Sequence, residues 1–260
     1  MSSRSSRSDN IYIMRIIQIT DSHIYGDTVS NFDGINTKNS FEKVLQKIQA
    51  LKKPDLVVAT GDLSMDGSNQ SYAWLHKRLA KIDAPKILIP GNHDKQDALA
   101  SEFGSTCFLK YGSLVNDSWC FHFLNTAHAG SHSGRLLSHD LSALNSSFYE
   151  NREIFHAIFM HHPPVRVGSI WLDDMGLKNS TEFWSAIEHV PNVKLVVCGH
   201  IHQELDIVSK NVRVLTSPST CLQFKPLTSE YSADSLAPGF RVIDFLADGR
   251  FVTCVIRVPI

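Results

Sequence analysis

A chain of 260 residues with 43% hydrophobic and 20% charged residues has the composition of an ordinary globular protein, long enough to bury a large core in a single domain. Its formal net charge of -1 gives no support for non-specific nucleic-acid binding, which needs a strongly basic face, so no nucleic-acid partner is expected. No apolar run approaches the roughly 20 residues of a membrane span, and the Ser- and Arg-rich start lacks the hydrophobic segment of a secretory signal. The expectation is therefore a cytoplasmic protein without membrane contact, with a disordered tail over 1–13 and one domain over 14–260. Cys107, Cys120, Cys198, Cys221 and Cys254 are odd in number and lack CxxC spacing, which argues against a disulfide framework and for small core residues.

Arg15 to Thr20 reads as a buried strand that breaks at Asp21-Ser22-His23, and an extended strand end would point Asp21 and His23 the same way. Phe41, Val44, Leu45, Ile48 and Leu51 lie at helical spacing over 39–52, with Pro54 as the stop. Leu56 to Ala59 is a second apolar strand, ending in Gly61-Asp62. Tyr72, Leu75, Leu79 and Ile82 mark another helix, and Ile87 to Ile89 a third strand, closed by Pro90-Gly91 before Asn92, His93 and Asp94. This β-α-β-α-β order predicts a parallel sheet with right-handed crossovers, and such sheets bind ligands outside the carboxyl ends of their strands.

Beyond an irregular stretch from Ala98, a strand is expected over Trp119–Leu124 and a helix through Leu141, Leu144 and Phe148. A strand over 154–160 follows, ending in His161-His162-Pro163-Pro164. A long loop through Trp171 precedes a helix carrying Phe183, Trp184 and Ile187. The strand Leu195–Cys198 stops at Gly199-His200-Ile201-His202. The runs 212–215, 240–246 and 251–258 read as an antiparallel meander or hairpins, with a turn at Asp248-Gly249.

Taken singly, Asp-x-His, Gly-Asp and Gly-His-x-His each fit a hydrogen-bonded structural residue. Together, successive strand ends deliver Asp21, His23, Asp62, Asn92, His161, His200 and His202 in one order, which structural need alone does not predict. Such a set exceeds one tetrahedral zinc and suits two divalent metals sharing a carboxylate. Oxygen and imidazole donors without thiolate favour manganese, iron or zinc. Two such metals can generate a hydroxide at neutral pH and clamp a phosphoryl group, which points to phosphoester hydrolysis. A metal-dependent binding or scaffold protein is the rival of another class. His76, His122, His128, His132, His139, His156 and His189 follow no motif and read as surface or hydrogen-bonded residues, and so does His162 beside its neighbour.

Asp21-x-His23, Gly61-Asp62, Gly91-Asn92-His93-Asp94, His161 and Gly199-His200-x-His202 resemble, in order, the signature of the calcineurin-like metallophosphoesterases. Asp33-Gly34-Ile35-Asn36-Thr37, His161 to Pro164 with Gly168 to Asp173, Pro218 to Pro226 and Ala237 to Arg241 are similar to the class III cyclic-nucleotide phosphodiesterase branch. The resemblance implies an α/β fold of two packed mixed β-sheets flanked by helices. It implies a first metal on Asp21, His23, Asp62 and His202 and a second on Asp62, Asn92, His161 and His200, with Asp62 bridging and iron or manganese, or else zinc, as the ions. The implied reaction is hydrolysis of 3',5'-cyclic AMP to 5'-AMP by a metal-activated hydroxide. Other cyclic nucleotides and linear phosphodiesters are the alternative. His93 would be the catalytic acid, and Asn92, His93 and His23 the substrate contacts. Asp94 either fixes the His93 tautomer or faces another partner, and Trp171 and Phe224 either pack in the core or border the nucleotide. Oligomeric state is not legible in the sequence.

Overall fold

The computed structural model describes residues 12–104 and 111–260. Its first sheet begins with β1 (Met14–Ile19), β2 (Leu56–Thr60) and β3 (Lys86–Ile89), paired in parallel and joined through α1 (Thr37–Gln49) and α2 (Asn69–Leu79). The crossover helices start on side-chain caps. The Asn36 side chain accepts from Asn39 N at 3.0 Å, and the Ser68 hydroxyl accepts from Ser71 N at 3.2 Å, each satisfying one of the free N–H groups of a first turn. α3 (Gln96–Phe103), in a stretch whose sequence shows no clear helical periodicity, packs on α2.

The second sheet runs β4 (Tyr111–Val115), β5 (Trp119–Leu124), β6 (Phe155–Phe159), β7 (Val193–Cys198), β9 (Val212–Thr216) and β8 (Leu205–Ser209) in spatial order. β5, β6, β7 and β9 are parallel, with antiparallel edges at β4 and β8. α4 (Ser138–Glu150) and α6 (Ser180–Ile187) cover its outer face through Leu144, Phe148, Phe183 and Trp184. Alternate residues of the two sheets meet between them: Ile16, Val58, Ile89 and Phe245 pack with Trp119, Phe121, Phe159, Val197 and Leu215 in one buried cluster. This is the layered α/β sandwich expected, because strands covered on both faces read as continuous apolar runs.

Several expectations need correction. Of the C-terminal runs expected as an antiparallel meander or hairpins, β12 (Gly239–Phe245) and β13 (Phe251–Arg257) do form a hairpin, which adds to the first sheet through an antiparallel β1–β12 pair, whereas β9 pairs antiparallel with β8 but joins β7 in parallel. A short helix, α5 (Ile170–Asp173), interrupts the loop around Trp171. The tail expected over 1–13 lies outside the described residues up to residue 11, but Ile13 N already donates to Phe245 O at 2.8 Å. Cys120, Cys198 and Cys221 are buried free thiols as expected, Cys254 is exposed, and Cys107 lies outside the described residues.

Candidate metal centre

The carboxyl ends of β1, β2, β3, β6 and β7 converge, and they bring Asp21, His23, Asp62, Asn92, His161, His200 and His202 together. The Asp-x-His and His-x-His pairs are not presented by extended backbone, as the sequence reading assumed. Asp21, His23, Asp62, His200 and His202 all have positive φ, from 45° to 72°. A non-glycine residue held there costs roughly 1–3 kcal/mol. The surrounding contacts hold these turns in place. Asp21 N donates to Gly61 O at 2.9 Å, His23 N to Asp62 O at 2.9 Å, and His200 N to the Asp21 carboxylate at 3.0 Å. Close approach of these turns depends on two glycines. A Cβ on Gly91 would strike the Asp62 backbone and carboxylate, and one on Gly199 would strike Thr20 Oγ1 and the Asp21 carboxylate.

Asp62 Oδ2 lies 3.8 Å from His23 Nε2 and 3.3 Å from His161 Nε2, so this carboxylate sits between two imidazole groups. On one side His23 Nε2 is 3.0 Å from His202 Nε2, which is 3.5 Å from Asp21 Oδ1. On the other, His161 Nε2 is 3.3 Å from Asn92 Oδ1, and the His200 ring centroid is 5.1 Å from that of His161. Two backbone carbonyls set the tautomers. His161 Nδ1 is 2.7 Å from Thr60 O and His202 Nδ1 is 2.8 Å from Leu222 O; a carbonyl only accepts, so each Nδ1 carries a proton and each Nε2 is the nitrogen that faces the carboxylates.

Burial pushes the His23 and His200 imidazoles down to about 3 and keeps both neutral. Burial would raise the Asp62 carboxyl, but His161 and His23 hold it well below the usual range, and at Asp21 His202 and His161 likewise outweigh burial and lower the carboxyl. His161 is depressed by burial yet raised to about 9 by Asp62 and Asp21, a sign that two buried carboxylates call for positive charge. His200 Nε2 and His23 Nδ1 are buried without a hydrogen-bond partner. Imidazoles, ionised carboxylates and an amide oxygen, with two buried imidazole nitrogens left without a partner, form a donor set that fits divalent cations.

His93 is half-buried, its N–H held by Asp62 Oδ1 at 2.8 Å and its ring 4.9 Å from that of His23. Asp94 does not orient His93. Its carboxylate accepts from Leu63 N and Ser64 N at 3.1 Å, Gly91 N at 2.9 Å and the Tyr72 hydroxyl at 3.0 Å, clasping the β2 end to the β3 end. Burial and the neighbouring Asp62 push its carboxyl up to about 6. Both nitrogens of His162 are engaged, Nδ1 with Thr126 Oγ1 at 2.8 Å and Nε2 with His132 O at 3.2 Å, which leaves it a supporting residue. His132 itself was passed over in the sequence. Its Nδ1 stands 3.4 Å from Asn92 Nδ2, and no spacing signal could have placed a loop residue there.

Two packed mixed sheets with this cluster at their strand ends define a family. Residues 14–204 match the calcineurin-like phosphoesterases, and the chain belongs to that family, whose members hydrolyse phosphoesters at a dinuclear metal centre. Among curated proteins, it is 36% identical over 247 residues to the 3',5'-cyclic adenosine monophosphate phosphodiesterase CpdA of Escherichia coli (strain K12), covering 94% of this chain and 90% of that protein. It is likewise 36% identical over 245 residues to a 3',5'-cyclic-nucleotide phosphodiesterase of Nostoc sp., covering 94% and 92%. A dimetal phosphatase from Danio rerio has the same fold, with a TM-score of 0.72 at 14% identity over 96% of this chain and 98% of that one.

Proposed function

We propose that the chain hydrolyses 3',5'-cyclic AMP to 5'-AMP, with two divalent cations bound at the strand ends. The observation that supports this reading is the position of Asp62, within 3.8 Å of imidazole nitrogens from both halves of the cluster. Asp21, His23, Asp62 and His202 would hold one ion, and Asp62, Asn92, His161 and His200 the other; iron or manganese suits these donors, and zinc is the alternative. When bound, such a pair supplies an activated water and offsets the charge of the phosphoryl oxygens.

The chain's own residues do the rest. Asp62 positions the His93 backbone, which leaves the His93 ring at the cavity wall to give a proton to the departing 3'-oxygen. Asn92 and His23 flank the same cavity and hold the phosphate in line. Free thiols at Cys120, Cys198 and Cys221 accord with a reducing compartment, and we place the activity in the cytoplasm. Among the described residues, no helix is long and apolar enough to cross a membrane.

A second cleft of about 740 Å³ borders Asn92 and His93 and runs along Lys95, Gln96 and His128. That room would suit the longer leaving group of a linear phosphodiester, the competing reading. Protein reconstituted with manganese or iron, offered cyclic AMP, cyclic GMP, 2',3'-cyclic AMP and an aryl phosphodiester, separates the two. Formation of 5'-AMP with the highest kcat/KM supports the proposal, and turnover of the aryl diester alone refutes it.

A further inference from the structure

The cavity over the metal-binding residues has two unlike walls. Asn92, His93 and His132 form a polar one, facing the phosphate chemistry. The opposite wall is apolar and aromatic, built by Phe32, Trp171, Met175 and Phe224 from three separate segments of chain. Charged phosphoryl oxygens and cations have no use for such a wall, and it lies directly against the donors: the Phe32 ring is 5.1 Å from that of His23 and 6.2 Å from that of His202.

The wall is also held in shape. Phe224 lies flat on His202, with centroids 3.9 Å apart at 9°, and meets Trp171 edge-on at 5.0 Å. The Trp171 indole N–H donates to Thr228 Oγ1 at 3.2 Å, and Ile170 N donates to Thr228 O at 3.0 Å. The Tyr231 hydroxyl donates to Asp33 Oδ2 at 2.9 Å, tying the segment around Phe32 to the ribbon of β10 (Gln223–Phe224) and β11 (Ala233–Asp234). Phe224 is buried, whereas Phe32 and Trp171 are half-buried where they line the cavity. Rigid, half-open aromatic faces are the low-entropy way to bind a flat heterocycle. The larger cleft beyond His93 is lined by no Phe, Tyr or Trp among the described residues.

We infer that Phe32 and Trp171 are the base-stacking residues of this site, with Phe224 positioning Trp171 from behind. The inference rests on the nucleotide reading above and specifies which side of the cavity receives the heterocycle. A 3',5'-cyclic nucleotide exceeds the cavity's own volume of about 90 Å³, so it would extend out of it past Asn92 and His93, with the phosphate at those residues and the base edge-in against the aromatic wall.

The test compares cyclic AMP with the 3',5'-cyclic phosphate of methyl riboside, which has the same reacting ring and no base. In metal-loaded protein, Phe32→Ala and Trp171→Ala are expected to raise KM for cyclic AMP by roughly 5- to 100-fold, the range of a lost base–aromatic stack. kcat and metal content should stay at the wild-type level, and kcat/KM for the base-free ester within about twofold of wild type. Trp171→Leu keeps apolar packing against Phe224 but removes the flat face and the indole bond to Thr228, so it should raise KM for cyclic AMP while metal content stays at the wild-type level.

Equal losses on both esters would overturn the inference, since the wall would then merely support the metal-binding residues. Unchanged kinetics on both would overturn it as well, by placing the base elsewhere. Calorimetric binding of 5'-AMP and ribose 5-phosphate to wild type and Trp171→Leu separates this failure from failure of the cyclic-AMP reading. Tighter 5'-AMP binding that depends on Trp171, in a protein that does not turn over cyclic AMP, supports the wall and rejects the reaction. Equal affinity for the two phosphates rejects the wall.

Discussion

Asp94 contacts no substrate in the scheme above, yet its replacement should weaken metal binding. Its carboxylate gathers three backbone N–H groups, from Leu63, Ser64 and Gly91, and the Tyr72 hydroxyl, which in turn accepts from Lys95 N at 2.9 Å. Leu63 follows Asp62 and Gly91 precedes Asn92, so the clasp sets the distance between two of the proposed metal donors. In Asp94→Asn one oxygen becomes an amide NH2, and whichever way it turns it faces a backbone N–H. One bond to a charged acceptor is lost and a donor is left opposed, at about 1–3 kcal/mol. For a chain of this size each kcal/mol lowers the melting temperature by roughly 2–4 °C, so a drop of about 2–12 °C is expected. In Asp94→Ala all four donors lose their acceptor. Water reaches part of this half-buried site, so the loss is about 3–6 kcal/mol, against native stabilities of about 5–15 kcal/mol. Elemental analysis after dialysis against graded chelator should show weaker retention of both ions in each variant. kcat at saturating metal should recover more fully in Asp94→Asn than in Asp94→Ala. If Asp94→Asn matches wild type in melting temperature and metal retention, the carboxylate is not the clasp and the reasoning fails.

Other outcomes follow from the same geometry. His93→Ala should keep two metals per chain and lose roughly 100- to 10,000-fold in kcat, the span of a general acid; metal loss in that variant would make His93 a ligand or an essential support. Asp62→Ala should lose or weaken both ions together, and elemental analysis showing full occupancy with retained activity would defeat the bridging role. Gly199→Ala must push Thr20 and the Asp21 carboxylate aside, so metal content and melting temperature should both fall; normal values for both would mean the turns have slack. Acid stability reports on His122 and His156, a buried pair with Nε2 and Nδ1 3.0 Å apart, depressed by burial to about 3 and about 4. Above the unfolded value of about 6.5 both states are neutral. As pH falls from there toward about 4 the unfolded chain binds more protons, so stability is lost on acidification. The gap in denaturation midpoint between wild type and His122→Asn should shrink between pH 7.5 and pH 5, and a constant gap would remove the pair from the account.

The sequence by itself determined the alternation of strands and helices through residue 89, because strands buried on both faces and amphipathic helices carry unlike periodicities. It also marked the residues proposed above as metal donors. Polar side chains that stop an apolar run are conspicuous whatever the fold, and Asp21, His23, Asp62, Asn92, His161, His200 and His202 all do so. Tertiary structure alone decided how these ends meet. The left-handed backbone at Asp21, His23, Asp62, His200 and His202 depends on neighbouring turns, and Asp94 reaches Leu63 and Tyr72 across 31 and 22 residues of chain. β8 and the short helix α5 escaped the sequence reading because an edge strand with alternately open residues and a single turn carry little periodic signal. The pairing of β9 with β7 and of β12 with β1 is non-local and leaves no local signature. The sequence leaves Trp171 and Phe224 open between core packing and bordering the nucleotide, and it does not single out Phe32, because a ring packed against Leu reads the same as one that walls a cavity. Only folding sets Phe32 and Phe224 against His202, with Trp171 packed on Phe224, and leaves Phe32 and Trp171 half-buried at the cavity.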